Sequence, residues 1–310
     1  MELYRSRSSY GSKAGTGKNL PGKALLALLF SGVMTVLSGC GDAETGEHSG
    51  KNAAPDQASG EKEIRLTVFA AASLTETLTE IGKSYEKLHP GVRVVFSFDS
   101  SGTLRTQIAE GALCDIFVSA SPKQMDALDI RAGAAKNPKG LDYIDGDTRF
   151  NLLENKVVLA VSQDSKKVLK SFDDLAAQLR EGRVFLAIGN SDVPVGQYTL
   201  RIFDYYHLDV QDLYARKALT LGSNVKEVTA QVSEGTVDAG IVYATDAASA
   251  GLKTVDTATP EMAGQVIYPA AALKKSQHSG EARIFLDYLK TPESVSIFER
   301  VGFTVIGKKQ

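Results

Sequence analysis

Little in this chain can carry covalent or metal chemistry. Two cysteines in 310 residues, with no CxxC pair, exclude a disulfide framework and a zinc knuckle. Cys114 opens an apolar run and reads as a small buried hydrophobe rather than a nucleophile. The four histidines are scattered: His48 lies in a polar stretch, His89 and His207 fall where helices should end, and His278 lies in a polar loop. None sits beside a nucleophile as a general base would. No HExxH, GxSxG or GxGxxG occurs. Gly17-Lys18-Asn19 fails as a phosphate loop, with Ser12 where glycine is needed and Asn19 where Ser or Thr is needed. Excess charge of one sign is missing too. Thirty-five Lys and Arg stand against 37 Asp and Glu, a net charge of −2, and no basic run points to nucleic acid.

What is present divides sharply along the chain. Arg5, Arg7, Lys13, Lys18 and Lys23 precede an apolar stretch at 24 to 37 that is too short for a comfortable membrane span. It ends in Leu37-Ser38-Gly39-Cys40. Residues 1–39 therefore read as a signal peptide, and the four-residue end resembles the lipobox of bacterial lipoproteins, which implies that Cys40 carries lipid and anchors the chain to a membrane. Residues 40–63 are rich in Gly, Ala, Ser and charge without apolar periodicity, and read as a flexible tether.

From residue 64 the pattern changes. Residues 64 to 69 are β-branched and apolar, a buried strand. Three alanines and Ser73 follow. Leu74, Leu78, Ile81, Tyr85 and Leu88 then fall on one helical face. Ser73-x-x-Glu76 has capping-box spacing, which predicts Ser73 at the helix N-cap. Further strands are expected at 92–98, 115–118, 156–161, 183–188, 218–221, 239–243 and 266–273. Helices are expected at 103–111, 122–131, 171–179, after Gly196 to 206, from 225, at 281–289 and at 293–300. Ser121-Pro122 reads as an N-cap followed by proline at the first helical position. With 43% hydrophobic residues and this alternation, the chain reads as α/β, in two lobes rather than one very large sheet.

In open α/β sheets ligands bind beyond the carboxyl ends of strands. The tips at Ala71-Ala72-Ser73, Ser100-Ser101-Gly102, Val193-Pro194-Val195-Gly196, Ser223-Asn224-Val225 and Ile241-Val242-Tyr243 offer hydroxyls and backbone N–H groups, with no Arg, Lys or His. Dipoles alone can hold a compact anion there. A fully deprotonated oxoanion needs only donors. A protonated one also needs an acceptor, and Asp99 and Asp192 lie near enough in sequence to provide one.

Those same stretches, 68–74, 98–104, 115–120, 193–196, 240–246 and 302–306, resemble the molybdate-binding subunits of bacterial molybdate ABC importers, over essentially all of residues 64 to 307. VFAAASL and GIVY carry most of the likeness. The resemblance implies a type II periplasmic-binding-protein fold: two lobes, 64–151 plus 269–310 and 152–268, joined by two crossover strands with a ligand cleft between them. It implies that Ser73 and Ser101 give hydroxyl and backbone donors, Val195 and Val225 backbone N–H groups, and Tyr243 its phenolic O–H. These groups would contact molybdate oxygens and not the metal. From the residues alone, Val195, Val225 and Tyr243 read as core. Val195 replaces an alanine common in relatives, and Gly102 replaces a frequent third serine.

The expected function is a non-enzymatic, extracytoplasmic, lipid-anchored receptor for molybdate and tungstate, with no cofactor. It would be a monomer that serves an ABC permease and its ATPase. A receptor for sulfate, phosphate or another oxoanion, an enzyme acting on a small anion and a sensor of occupancy are the alternatives.

Overall fold

The computed structural model describes residues 63 to 307. The expected signal peptide, Cys40 and all but the last residue of the tether lie outside the described residues.

The first strand, β1 (Ile64–Ala71), runs parallel to β2 (Val92–Asp99) on one side and β3 (Ile116–Val118) on the other. Between β1 and β2 lies α1 (Thr75–Leu88), whose Leu78, Ile81 and Tyr85 are wholly buried, as is Leu74 just ahead of it. Leu88, expected on the same face, is 59% exposed, because it occupies the last helical residue, where the helix gives way to the turn at Gly91. Helices α2 (Ser101–Ala109) and α3 (Pro122–Asp126) follow β2 and β3. Ser121 caps α3 as expected, accepting from the Lys123 N–H. That helix stops at Asp126 and only a short 3₁₀ turn, Ile130–Ala132, continues it.

The chain then enters β4 (Phe150–Asn155), which pairs antiparallel with the late strand β10 (Val266–Ala272); β10 in turn pairs with β3. Short β11 (Thr304–Val305) closes the other edge, so the first sheet is ordered β11-β4-β10-β3-β1-β2.

One residue past β4 the chain enters a second sheet. Its strands are β5 (Val157–Val161), β6 (Leu186–Gly189), β7 (Leu219–Gly222), β8 (Ala239–Tyr243) and β9 (Lys253–Thr257), ordered β7-β6-β8-β5-β9. Helices α4 (Phe172–Arg180), α5 (Pro194–Tyr205), α6 (Val210–Ala215), α7 (Val225–Ser233) and α8 (Ala244–Ser249) connect them. The chain returns to the first sheet through α9 (Pro260–Ala263), and α10 (Ser279–Tyr288) and α11 (Pro292–Arg300) finish it.

Strands β5 and β8 are buried at every residue, as expected of strands covered on both faces. Two mixed sheets flanked by helices make up the α/β architecture that the alternating pattern predicts. The chain passes between the sheets twice, at Lys156 and between β9 and β10.

Candidate functional site

Five strand-to-helix or strand-end segments meet at one small cavity of about 10 Å³. Its lining includes Ser73, Ser100 and Ser101 from the first-sheet side, and Val195, Val225 and Tyr243 from the second. The five residues expected to hold a ligand therefore come together in space, although Ser73 and Tyr243 are 170 positions apart in the chain. All five are buried. A larger depression of about 770 Å³ lies elsewhere, between the loops around Ser162–Lys167 and Ser233–Asp238. It is an open surface feature lined by loops, whereas donors converge in the small one.

Each wall is built from a helix start. In α2 the first helical hydrogen bond runs from the Leu104 N–H to the Ser100 carbonyl, and Ser100 Oγ caps the Thr103 N–H at 3.1 Å. The amides of Ser101 and Gly102 precede these bonds. In α5 the first bond is Gln197 N–H to Val193 carbonyl, so the Val195 and Gly196 amides come before it, while Pro194 has no N–H to satisfy. In α7 the Asn224 side chain takes the Lys226 and Glu227 amides, and the Val225 N–H is left ahead of them. The Ser73 amide lies in a 3₁₀ turn, Ala72–Leu74, that leads into α1. Four helix starts of this kind give a region of positive potential without a charged side chain in the lining.

The turn at α5 has no room for a side chain. A Cβ on Gly196 would lie 2.1 Å from the Asn190 carbonyl oxygen and 2.3 Å from that of Gly189. Gly102 is similarly confined: a Cβ there would stand 2.1 Å from the carbonyl oxygen of Asp192, on the opposite wall. A serine side chain at 102 would not fit at this approach distance, so the glycine goes with the close contact between the walls.

The hydroxyls are specific in their partners. Ser101 Oγ accepts from the Ala120 N–H at 2.9 Å. Ser73 Oγ lies 3.0 Å from the Tyr268 hydroxyl, and the Asn155 amide donates to that hydroxyl at 3.3 Å. The Tyr243 hydroxyl is buried and has no hydrogen-bond partner. Tyr268 is its polar neighbour, with ring centroids 5.9 Å apart, but no hydrogen bond of ordinary geometry joins the two. Burial, with Tyr268 next, pushes the Tyr243 phenol well above its ordinary ionisation range, so it keeps its proton and can donate it as a hydrogen bond.

The capping box is a correction. Ser73 does not cap α1; the N-cap position belongs to Leu74, with no side-chain cap. The tertiary bond to Tyr268 takes the hydroxyl instead. Glu76, the other half of the expected box, reaches Lys226 Nζ at 2.8 and 2.9 Å. Lys226 also lies 3.2 Å from Asp246 Oδ1, an ion pair without good hydrogen-bond direction. These three residues tie α1 on the first-sheet side to α7 and α8 on the second, just outside the cavity lining. Burial pushes the Asp246 carboxyl up to about 6, against the opposing pull of Lys226.

Of the two acceptors foreseen near the tips, the Asp99 carboxylate accepts from the Ser100 N–H, and neither Asp99 nor Asp192 lines the cavity. Cys114 is buried, and burial with the nearby Asp115 pushes its thiol up to about 12, which makes it inert as a nucleophile at neutral pH. No cluster of three or more His, Cys, Asp or Glu suited to a metal ion occurs among the described residues. Sequence reasoning missed Tyr268 and Asn155. Nothing local marks either one, since both reach the site only through the pairing of β4 with β10.

The arrangement can surround a small anion with amides and hydroxyl donors. The model for the bacterial extracellular solute-binding protein family matches residues 66–304. This chain belongs to that family. Its members bind solutes rather than transform them, and this chain is a binding protein, not an enzyme. Among its relatives is the molybdate-binding protein ModA of Escherichia coli, 36% identical over 249 residues, covering 78% of this chain and 90% of that protein. The ModA protein of Haemophilus influenzae is 34% identical over 248 residues, 77% of this chain and 90% of its own length. The periplasmic molybdate-binding protein of Azotobacter vinelandii superposes with a TM-score of 0.65 at 23% identity, over 77% of this chain and 98% of that one, and shares the fold. As a member of this family the chain works outside the cytoplasm, and no helix among its described residues is long and apolar enough to cross a membrane.

Proposed function

We propose that this protein captures molybdate, and tungstate with it, and delivers the oxoanion to an ABC importer in the membrane. One observation carries the reading. Ser73, Ser101, Val195, Val225 and Tyr243 line a single cavity built on four helix starts, with hydroxyls and amides in place of cations. The ModA relatives, at 34 and 36% identity over most of this chain, support molybdate as the ligand. Molybdate and tungstate share charge, geometry and nearly the same size, so a site that holds one holds the other. Sulfate is smaller, and a rigid cage sized for molybdate holds it poorly.

The protein closes as two lobes, 64–151 with 269–310 and 152–268. The connecting strands are β4 and β10, which pair side by side in the first sheet; β4 leads through Lys156 into β5, and β10 is reached from β9 through α9. The Glu76–Lys226 ion pair and the approach of Gly102 to Asp192 support contact between the lobes. Cys40 carries lipid, as Leu37-Ser38-Gly39-Cys40 supports, and residues 40–63 let a monomeric receptor reach its permease.

Calorimetric titration of the purified protein with molybdate, tungstate, sulfate and hydrogen phosphate tests the reading. Tight binding of the first two alone is expected. Equal binding of sulfate or phosphate would replace the named ligand, and no binding of any of them would remove the oxoanion site.

A further inference from the structure

The Ser73 hydroxyl sits at the end of a hydrogen-bond chain whose direction can be worked out atom by atom. The chain starts at Asn155, the last residue of β4. The Lys156 N–H donates to Asn155 Oδ1 at 2.8 Å, which fixes the side-chain amide with its NH₂ facing away from that backbone group. The NH₂ donates twice, to Thr245 Oγ1 at 2.9 Å and to the Tyr268 hydroxyl oxygen at 3.3 Å. Tyr268 is fully buried. Its hydroxyl has two hydrogen-bond partners, the Asn155 NH₂ and Ser73 Oγ. An amide NH₂ cannot accept, so the Tyr268 proton goes to Ser73 Oγ. With one of its two lone pairs engaged by that donor, Ser73 has its own proton free to turn toward the cavity that it lines.

We infer that Tyr268, oriented by Asn155, is a positioning residue that sets the Ser73 hydroxyl to donate into the cavity and thereby favours fully deprotonated oxoanions over protonated ones. The inference rests on the oxoanion reading of the cavity and deepens it. Ser101 is set the same way by a different group, the Ala120 N–H, which donates to its Oγ. Two serines that could each accept a proton are thus both turned into donors. Hydrogen phosphate, whose own proton needs an acceptor, finds one of the two lone pairs on each serine already taken. The chain also has a structural reach. Asn155 and Tyr268 sit on β4 and β10, and Thr245 belongs to α8 on the second-sheet side. The orientation of one hydroxyl in the cavity is therefore set by the strands that pass between the two sheets.

The test is a double-mutant cycle on the full chain, with molybdate and hydrogen phosphate as probes. Tyr268→Phe keeps the ring that packs edge-on against Tyr243 and Phe303 and removes the hydroxyl; the Asn155 amide it accepted from still donates to Thr245, so a thermal melt near that of the wild type is expected. Tyr268→Phe should weaken molybdate roughly tenfold, the scale of a hydrogen bond to a charged group lost in part. In a Ser73→Ala background the same change should have little further effect, because Tyr268 acts through Ser73. The ratio of molybdate to hydrogen phosphate affinity should fall in Tyr268→Phe, since Ser73 is then free to accept. Full additivity of the two losses, or an unchanged molybdate-to-phosphate ratio, would overturn the inference while wild-type binding of molybdate leaves the site reading standing. Failure of the wild type to bind molybdate would overturn both.

Discussion

The two walls of the cavity donate by different means. The first-sheet side offers side-chain hydroxyls, Ser73 and Ser101, each held by a partner of its own. The second-sheet side offers the backbone of Val195 and Val225, with Tyr243 as its one hydroxyl. On the first wall the residue type is the chemistry. On the second the backbone path is the chemistry, and the valine side chains serve the core. This difference predicts opposite responses to mutation. Hydroxyl deletions should damage binding on one wall, and on the other, Tyr243 apart, only changes to the backbone should.

The largest effect is expected from Gly196→Ala. The added methyl meets two carbonyl oxygens of the Gly189–Asn190 turn, a cost of about 3 kcal/mol, which should appear as a large drop in melting temperature and loss of binding together. A stable, binding-competent variant would mean that the second wall does not depend on that tight path.

Next come Ser73→Ala and Ser101→Ala. Each removes a donor to a charged ligand and should weaken molybdate by roughly ten- to a hundredfold in a calorimetric titration. Unchanged affinity in both would sink the assignment of the first wall.

Val225 sharpens the contrast further. It is the first residue of α7, where proline is tolerated, and Asn224 before it is already extended. Val225→Pro should fold and lose about tenfold in molybdate affinity, because the N–H is gone. Val225→Ala keeps that N–H and should retain affinity while losing some stability. Equal affinities for the two variants would show that the amide contributes nothing.

The smallest effect concerns the ion cluster that ties the walls together. The Asp246 carboxyl, facing Lys226 with Glu76 beyond it and Thr245 beside it, is held up at about 6 against an ordinary 3.8. Between those values the folded protein keeps a proton that the unfolded chain has released. This group therefore adds stability at low pH and loses it as pH rises through 6. Melting temperatures of Asp246→Asn should exceed those of the wild type above pH 6, with the gap narrowing below pH 4. A gap that does not vary with pH would contradict the assignment.

The same contrast explains what could be read from sequence. Ser73 and Ser101 were legible because a strand, a small-residue turn and a helix leave a local pattern in the chain. Val195, Val225 and Tyr243 were legible only by family resemblance, since a backbone donor leaves no trace in residue type and a tyrosine ending a buried apolar strand reads as core. The capping box at Ser73 failed because a hydroxyl 195 residues away outcompeted a local amide. Six elements were not read at all, β4, β9, β11, α6, α8 and α9. Strand β4 carries Asn151, Glu154 and Asn155 among its six residues, which masks its apolar pattern. Strand β9 is a polar edge, and α6 has only six residues with one buried side chain. Strand β8 matched because five consecutive apolar or small residues buried on both faces permit little else.

The most direct measurement is a crystal structure of the molybdate-bound protein with anomalous data collected at a molybdenum edge. The account predicts one strong peak between Ser73, Ser101, Val195, Val225 and Tyr243, with oxygens within hydrogen-bond distance of the three hydroxyls and of the Ser73, Ser101, Val195 and Val225 amides. A peak elsewhere, or an oxoanion held by a lysine or arginine, would contradict it.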